Sequence, residues 1–122
     1  MIVLKRAWDA PTASDGYRVL VDRLWPRGES KAKLALDLWL KAVAPSAALR
    51  RWFHHQQGTF SQFEQRYLAE LRDGDAALAL QQLQQIVAQH PVVTLVYAAT
   101  DTQHNNAVVL KQRLEQEQPD AP

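Results

Sequence analysis

Apolar positions along the chain follow two periods, one of two residues and one near three and a half. Residues 17–25, YRVLVDRLW, are apolar on both sides of a period-two pattern, with Tyr17, Val19 and Val21 on one face and Leu20 and Leu24 on the other. Such a run suits a strand covered on both faces. Pro26 has no N–H to give a ladder, so pairing is expected to stop there. Residues 92–98 form a continuous run rich in β-branched residues and predict a second strand, central and buried. IVLKRAW at 2–8 reads as a further strand. Leu36, Leu38 and Leu40 alternate with Asp37, Trp39 and Lys41, which predicts a strand over 36–42, with a helix through 31–43 as its competitor.

Helical spacing takes over elsewhere. Phe60, Phe63, Tyr67, Leu68 and Leu71 form one amphipathic stripe; Leu80, Leu83, Ile86 and Val87 form another over 75–89, which His90-Pro91 ends. Ser30 is placed to cap a short helix in ESKAKLA, and Ser46 one that runs through Phe53. Asp101 or Thr102 is expected to cap a last helix over about 103–116 that buries Ala107, Leu110 and Leu114. DAPTASDG at 9–16 is a loop by its Pro, Ser, Asp and Gly content. Residues 117–122, EQPDAP, carry too little apolar surface to hold order.

Strands that feed helices and return to strands imply parallel pairing. The expected fold class is therefore α/β: a small three-layer sandwich, with a mostly parallel sheet of about four strands and helices on both faces, in a single domain over 1–116. The 122 residues, 47% hydrophobic and 22% charged, are enough for one such core and typical of a globular chain. No apolar run approaches the roughly 20 residues that span a bilayer, and MIVLKRAWD has no secretory signal, so the cytoplasm is the expected location. There are no cysteines, which removes disulfides, thiolate nucleophiles and zinc–thiolate sites together.

Net charge is only +1 but unevenly spread: residues 1–51 hold ten Lys or Arg against five Asp or Glu, and residues 52–122 hold four against eight. A basic half beside an acidic half favours a local anion site over a nucleic-acid tract, for which a pI above about 9 is usual. The pI here is 8.1.

In open parallel sheets ligands gather outside the carboxyl ends of the strands. Three loops are expected there: Arg23 to Gly28, Lys41 to Ser46, and Thr100 to Asn106. Arg23 and Arg27 offer guanidiniums for phosphate or carboxylate, Trp25 a ring for stacking, and Arg6, Lys41, Ser46 and Asn105 further polar contacts. His104 titrates nearest neutrality and is the candidate for proton transfer, with Asp101 as its orienting partner or simply a cap. Duller roles compete: a buried ion pair with an arginine for Asp22, structural pairing for Arg23 and Arg27, core packing for Trp39 and Trp52, and a plain hydrogen bond at the helix start for His104. His54-His55 lacks the spacing of a metal motif, no Gly-rich phosphate loop or GxSxG elbow is present, and neither a metal nor a cofactor is expected.

VDRLWPRG at 21–28, LWLKAVAPS at 38–46, LRRWF at 49–53, FEQRYLAEL at 63–71 and VTLVYAATDTQHNNAVVL at 93–110 closely resemble the bacterial YeaO-like branch of the family catalogued as domain of unknown function number 488. The resemblance implies a small α/β fold with no settled activity. It also matches the DxxHN spacing at Asp101, His104 and Asn105, and other branches of the family carry a Cys near the end of the last strand that this chain lacks. Two functions follow as expectations. One is an enzyme-like protein for a small anionic, phosphorylated or nucleotide-derived molecule; the other is a non-catalytic module that binds nucleic acid or protein through the basic half, with Lys31, Lys33, Arg50, Arg51 and Trp52.

Overall fold

In the computed structural model, which describes residues 1–117, the strands are β1 (Ile2–Arg6), β2 (Tyr17–Leu20), β3 (Leu38–Trp39) and β4 (Val93–Tyr97). The helices are α1 (Lys31–Leu34), α2 (Ala47–His54), α3 (Phe60–Glu70), α4 (Gly74–Gln89) and α5 (Asn106–Glu117), with single 3₁₀ turns at Ala13–Asp15 and Lys41–Val43. The tail expected to lack order falls, beyond Glu117, outside the described residues. The four strands pair in the order β1-β4-β2-β3, all parallel. β4 is central and every one of its residues is buried, as its continuous run rich in β-branched residues requires.

The sheet is covered on both faces, unequally. Val19, Val93 and Leu95 face a large core filled by Phe63 and Tyr67 of α3, Leu83 and Val87 of α4, and Leu110 and Leu114 of α5. Leu20 and Val96 face a much smaller one, closed by Ala7, Leu34 of α1, and the half-buried Trp25, Leu36 and Trp39. Among the described residues, this cover comes from the single turn of α1 and the segments that follow β1 and β2.

That thin face is held by charge as much as by apolar packing. Arg18 is 3% exposed; its Nη1 donates to Asp15 Oδ2 at 2.6 Å, and its Nε and Nη2 donate to the Leu34 carbonyl at 3.1 and 2.9 Å. Lys5 reaches the same carboxylate at 3.0 Å, and Thr12 donates to it from both its backbone N–H and its hydroxyl. Burial pushes the Asp15 carboxyl up, but these four donors outweigh it and hold the group well below its ordinary value.

The strand expected over 36–42 is only Leu38–Trp39, since β3 pairs with β2 at Val19 and Leu20 alone and the chain turns into the 3₁₀ turn Lys41–Val43; two further boundaries differ for one reason. β2 ends at Leu20, not at Trp25, because its partner β4 ends at Tyr97 and Leu20 already pairs with Val96. β1 ends at Arg6, not Trp8, for the same lack of further partner. The last helix starts at Asn106 rather than 103. Asp101 does not cap it: Asp101 Oδ1 accepts from the N–H groups of Gln103 and His104 and closes a separate turn, while Asn105 Oδ1 accepts from Val108 N–H at 2.9 Å and takes the capping role. Ser30 and Ser46 cap α1 and α2 as expected.

Candidate functional site

The chain leaves β2 toward the thin face, where Trp25 and α1 pack, and leaves β4 toward the thick face, where α5 packs. Exits that diverge to opposite faces open a crevice at the carboxyl ends of adjacent strands, the usual ligand position in this architecture. Here the strands that part in this way are β2 and β4, beyond Val21 and Tyr97.

In a regular parallel ladder the next bond after Val21 N–H to Val96 O would run from Ala98 N–H to Val21 O. That rung is replaced by two side chains. Ala98 N–H donates to Asp22 Oδ2 at 2.9 Å, and Asn106 Nδ2 donates to Val21 O at 3.0 Å and to Asp22 Oδ1 at 3.1 Å. Trp39 Nε1 donates to the Asp22 carbonyl at 2.7 Å, which ties β3 to the same point. Burial raises the Asp22 carboxyl above its ordinary value; the Asn106 amide, the Ala98 N–H and the charge of Arg50 oppose the rise without cancelling it. The arginine ion pair expected for Asp22 is absent: among the described residues the ion pairs are Lys5–Asp15, Arg18–Asp15 and His104–Asp101. The carboxylate is met instead by donors with no charge, which stand on the strand and helix that converge on it.

The guanidiniums proposed for ligands are partly committed to backbone. Arg6 Nε donates to the Ala99 carbonyl at 3.0 Å while its guanidinium lies 5.1 Å from the Trp8 ring. Arg23 donates to the carbonyls of Pro45 and Ala44 at 3.3 and 3.2 Å. Trp25 donates to the Glu29 carbonyl at 2.7 Å and meets Trp39 edge-on, and Lys41 lies 4.0 Å over the Trp39 ring. Arg27 is exposed on the loop between Trp25 and α1.

His104 and Asp101 are together, with Nδ1 2.9 Å from Asp101 Oδ2, but both side chains are more than half exposed, 53% and 56%. Hydrogen bonds from the Gln103 N–H and from His104 hold the Asp101 carboxyl below its ordinary value. The His104 ring meets Phe60 of α3 edge-on, on the thick face. Arg27 belongs to the loop that runs from Trp25, which packs on the thin face, to α1. Asn105 is 3% exposed and donates to the Asp101 carbonyl at 2.9 Å.

Ser46 gathers the third loop. Its N–H and hydroxyl donate to the two oxygens of Glu70 at 2.8 and 2.6 Å, and its Oγ accepts from Leu49 N–H. Two adjoining surface clefts of about 410 and 380 Å³ share Ser46 and Glu70; Arg23 and Asp75 line the first, Trp52 and Arg66 the second. Beneath them the Tyr67 hydroxyl donates to the Val43 carbonyl, and burial, then the negative charges of Asp22 and Glu70, push its pKa well up.

The family model described as "Inactive DUF488-N3 subclade" matches residues 1–121. The chain belongs to that subclade. Relatives of this DUF488-N3 chain include the "Uncharacterized protein YeaO" of Escherichia coli K12, 45% identical over 109 residues that cover 89% of this chain and 92% of the relative. The "Uncharacterized protein Rv3073c" of Mycobacterium tuberculosis H37Rv is 41% identical over 109 residues, 89% of each chain. No solved structure matches this DUF488-N3 chain. Among its described residues, no helix is long and apolar enough to cross a membrane.

Proposed function

We propose that this protein is a non-catalytic module that binds an anionic macromolecule, with a nucleic-acid strand as the working ligand, through the thinly covered face of its sheet. The observation that carries the reading is the set of exposed cations there. Arg27, Lys31, Lys33 and Lys41 are all exposed and lie in one segment around the half-buried Trp25 and Trp39. The counter-charges between Arg27 and Lys41 are Glu29 and Asp37, whose carboxylate accepts from Arg18 N–H at 2.8 Å, so the cations there outnumber the anions. The pI of 8.1 averages this surface with an acidic second half and hides it. Arg50, Arg51 and Trp52, which the sequence groups with these cations, belong to α2 on the other side and do not extend the patch.

Membership of a subclade described as inactive supports binding without turnover, as does the absence of any thiol in the chain. Fluorescence anisotropy with single-stranded RNA and DNA oligonucleotides over a salt series tests the reading. Affinity should fall steeply with salt, Lys31→Glu/Lys33→Glu should weaken binding at least tenfold, and His104→Ala should leave it unchanged. Absence of binding at low salt, or affinity indifferent to salt, would sink the proposal.

A second reading keeps the Asp101–His104 pair as an acid–base couple acting on a small phosphorylated molecule, and the 2.9 Å contact is what favours it. It requires a nucleotide or phosphate ester that raises the melting temperature of the wild type, and turnover that His104→Ala abolishes.

A further inference from the structure

We infer that the crevice between β2 and β4 is an anion site already filled by the chain's own Asp22 side chain, and that a small free carboxylate takes its place once that side chain is shortened. The argument starts from the broken rung. Ala98 N–H is a strand-end donor whose regular partner would be the Val21 carbonyl, and Asn106 Nδ2 is a helix-borne donor; both instead converge on the two oxygens of one carboxylate, at 2.9 and 3.1 Å. Arg50 of α2 adds a favourable charge without touching it. Two N–H groups from different elements and a nearby guanidinium are the equipment of a carboxylate or phosphate site.

The occupant is tethered. Asp22 sits two residues past the last paired residue of β2, Leu20, so its carboxylate enters the crevice with its translational entropy already spent. A free anion has to displace a group that is covalently attached, which keeps the crevice closed to ligands in the natural chain. Asp22 is only partly buried, so the place it fills stays in reach of solvent. This device is independent of the cationic surface on the thin face and is read without any partner.

Asp22→Ala removes one carboxylate and leaves a space the size of formate. Melting of the full chain is followed in sodium formate and, at equal ionic strength, sodium chloride. The variant should show a saturable rise of several degrees specific to formate, with a midpoint in the millimolar range, and the wild type no difference between the two salts. Adding Asn106→Leu to Asp22→Ala should abolish the response. If Asp22→Ala is recovered unfolded, refolding in formate against chloride reads the same equilibrium: native protein in formate alone supports the site. Equal behaviour in both salts, or an equal formate effect on wild type and variant, overturns it.

Discussion

Asn106 Nδ2 stands 3.1 Å from Asp22 Oδ1 although 84 positions separate the two residues, and it stands 3.0 Å from the Val21 carbonyl as well. One side-chain amide at the head of the last helix thus completes the hydrogen bonding of the central strand pair. Asn106→Leu leaves two partly buried acceptors short of a donor and should cost about 1–3 kcal/mol in urea denaturation. Asn106→Asp should cost more at neutral pH, where two carboxylates face each other, and recover part of the loss on acidification as one takes up a proton. A value near zero for Asn106→Leu would show that the replaced rung contributes nothing.

Ser46 predicts an inversion of the usual capping order. Ser46→Ala should cost about 1–2 kcal/mol through the lost cap, and it also strips a hydroxyl donor from Glu70. Asp is ordinarily as good a cap as Ser, yet at this position its carboxylate would meet Glu70. Ser46→Asp should therefore be less stable than Ser46→Ala at pH 7 in thermal melts. The opposite order would mean that Glu70 does not hold Ser46 in solution.

Asp15 and Asp22 should oppose each other in acid. Asp15 is held below its unfolded value of 3.8, so its contribution to stability is present above that value and is lost as the pH falls below it. Asp22 is raised above 3.8, so its contribution is present below the unfolded value and is lost as the pH rises through the folded one. Stability measured in urea from pH 7 down to pH 3 should show a flatter acid limb for Asp15→Asn than for wild type. Asp22→Asn should lose the gain that wild type makes on leaving neutrality. Parallel curves for all three proteins would refute both assignments.

Gly16 has φ +63° and ψ −131°, and a Cβ there would lie 2.2 Å from the Val92 carbonyl oxygen. That oxygen already accepts from Tyr17 N–H at 3.0 Å, so it cannot withdraw without opening the start of β2. Gly16→Ala should lose more than the roughly 1–3 kcal/mol of backbone strain alone. Gly28, also at positive φ but with nothing within 4 Å of a built Cβ, should lose only the strain. Circular dichroism melts of the two alanine variants give the comparison, and equal losses would contradict it.

What the chain shows by itself is local. The period-two run at 17–25 and the continuous run at 92–98, the stripe of Phe63 and Tyr67, and the caps at Ser30 and Ser46 are each decided within a few residues; the runs stand in the structure as the shorter strands Tyr17–Leu20 and Val93–Tyr97, and the stripe and both caps as read. Thr12 and Asp15 carry the spacing of a reciprocal cap, the one local sign of the buried Asp15–Arg18 cluster. Nothing near Arg18 announces that it would be buried, since its carbonyl partner Leu34 lies 16 positions on.

By itself, then, the sequence determined the α/β class, the central place of β4 and the faces of the long helices, because periodicity and capping are matters of neighbouring residues. Tertiary structure alone decided where β2 stops, which donors Asp22 meets, and that Arg6 and Arg23 turn to backbone carbonyls. Those outcomes depend on which strand ends lie side by side. Pairing across 84 positions is a property of the folded chain and has no signature in either segment.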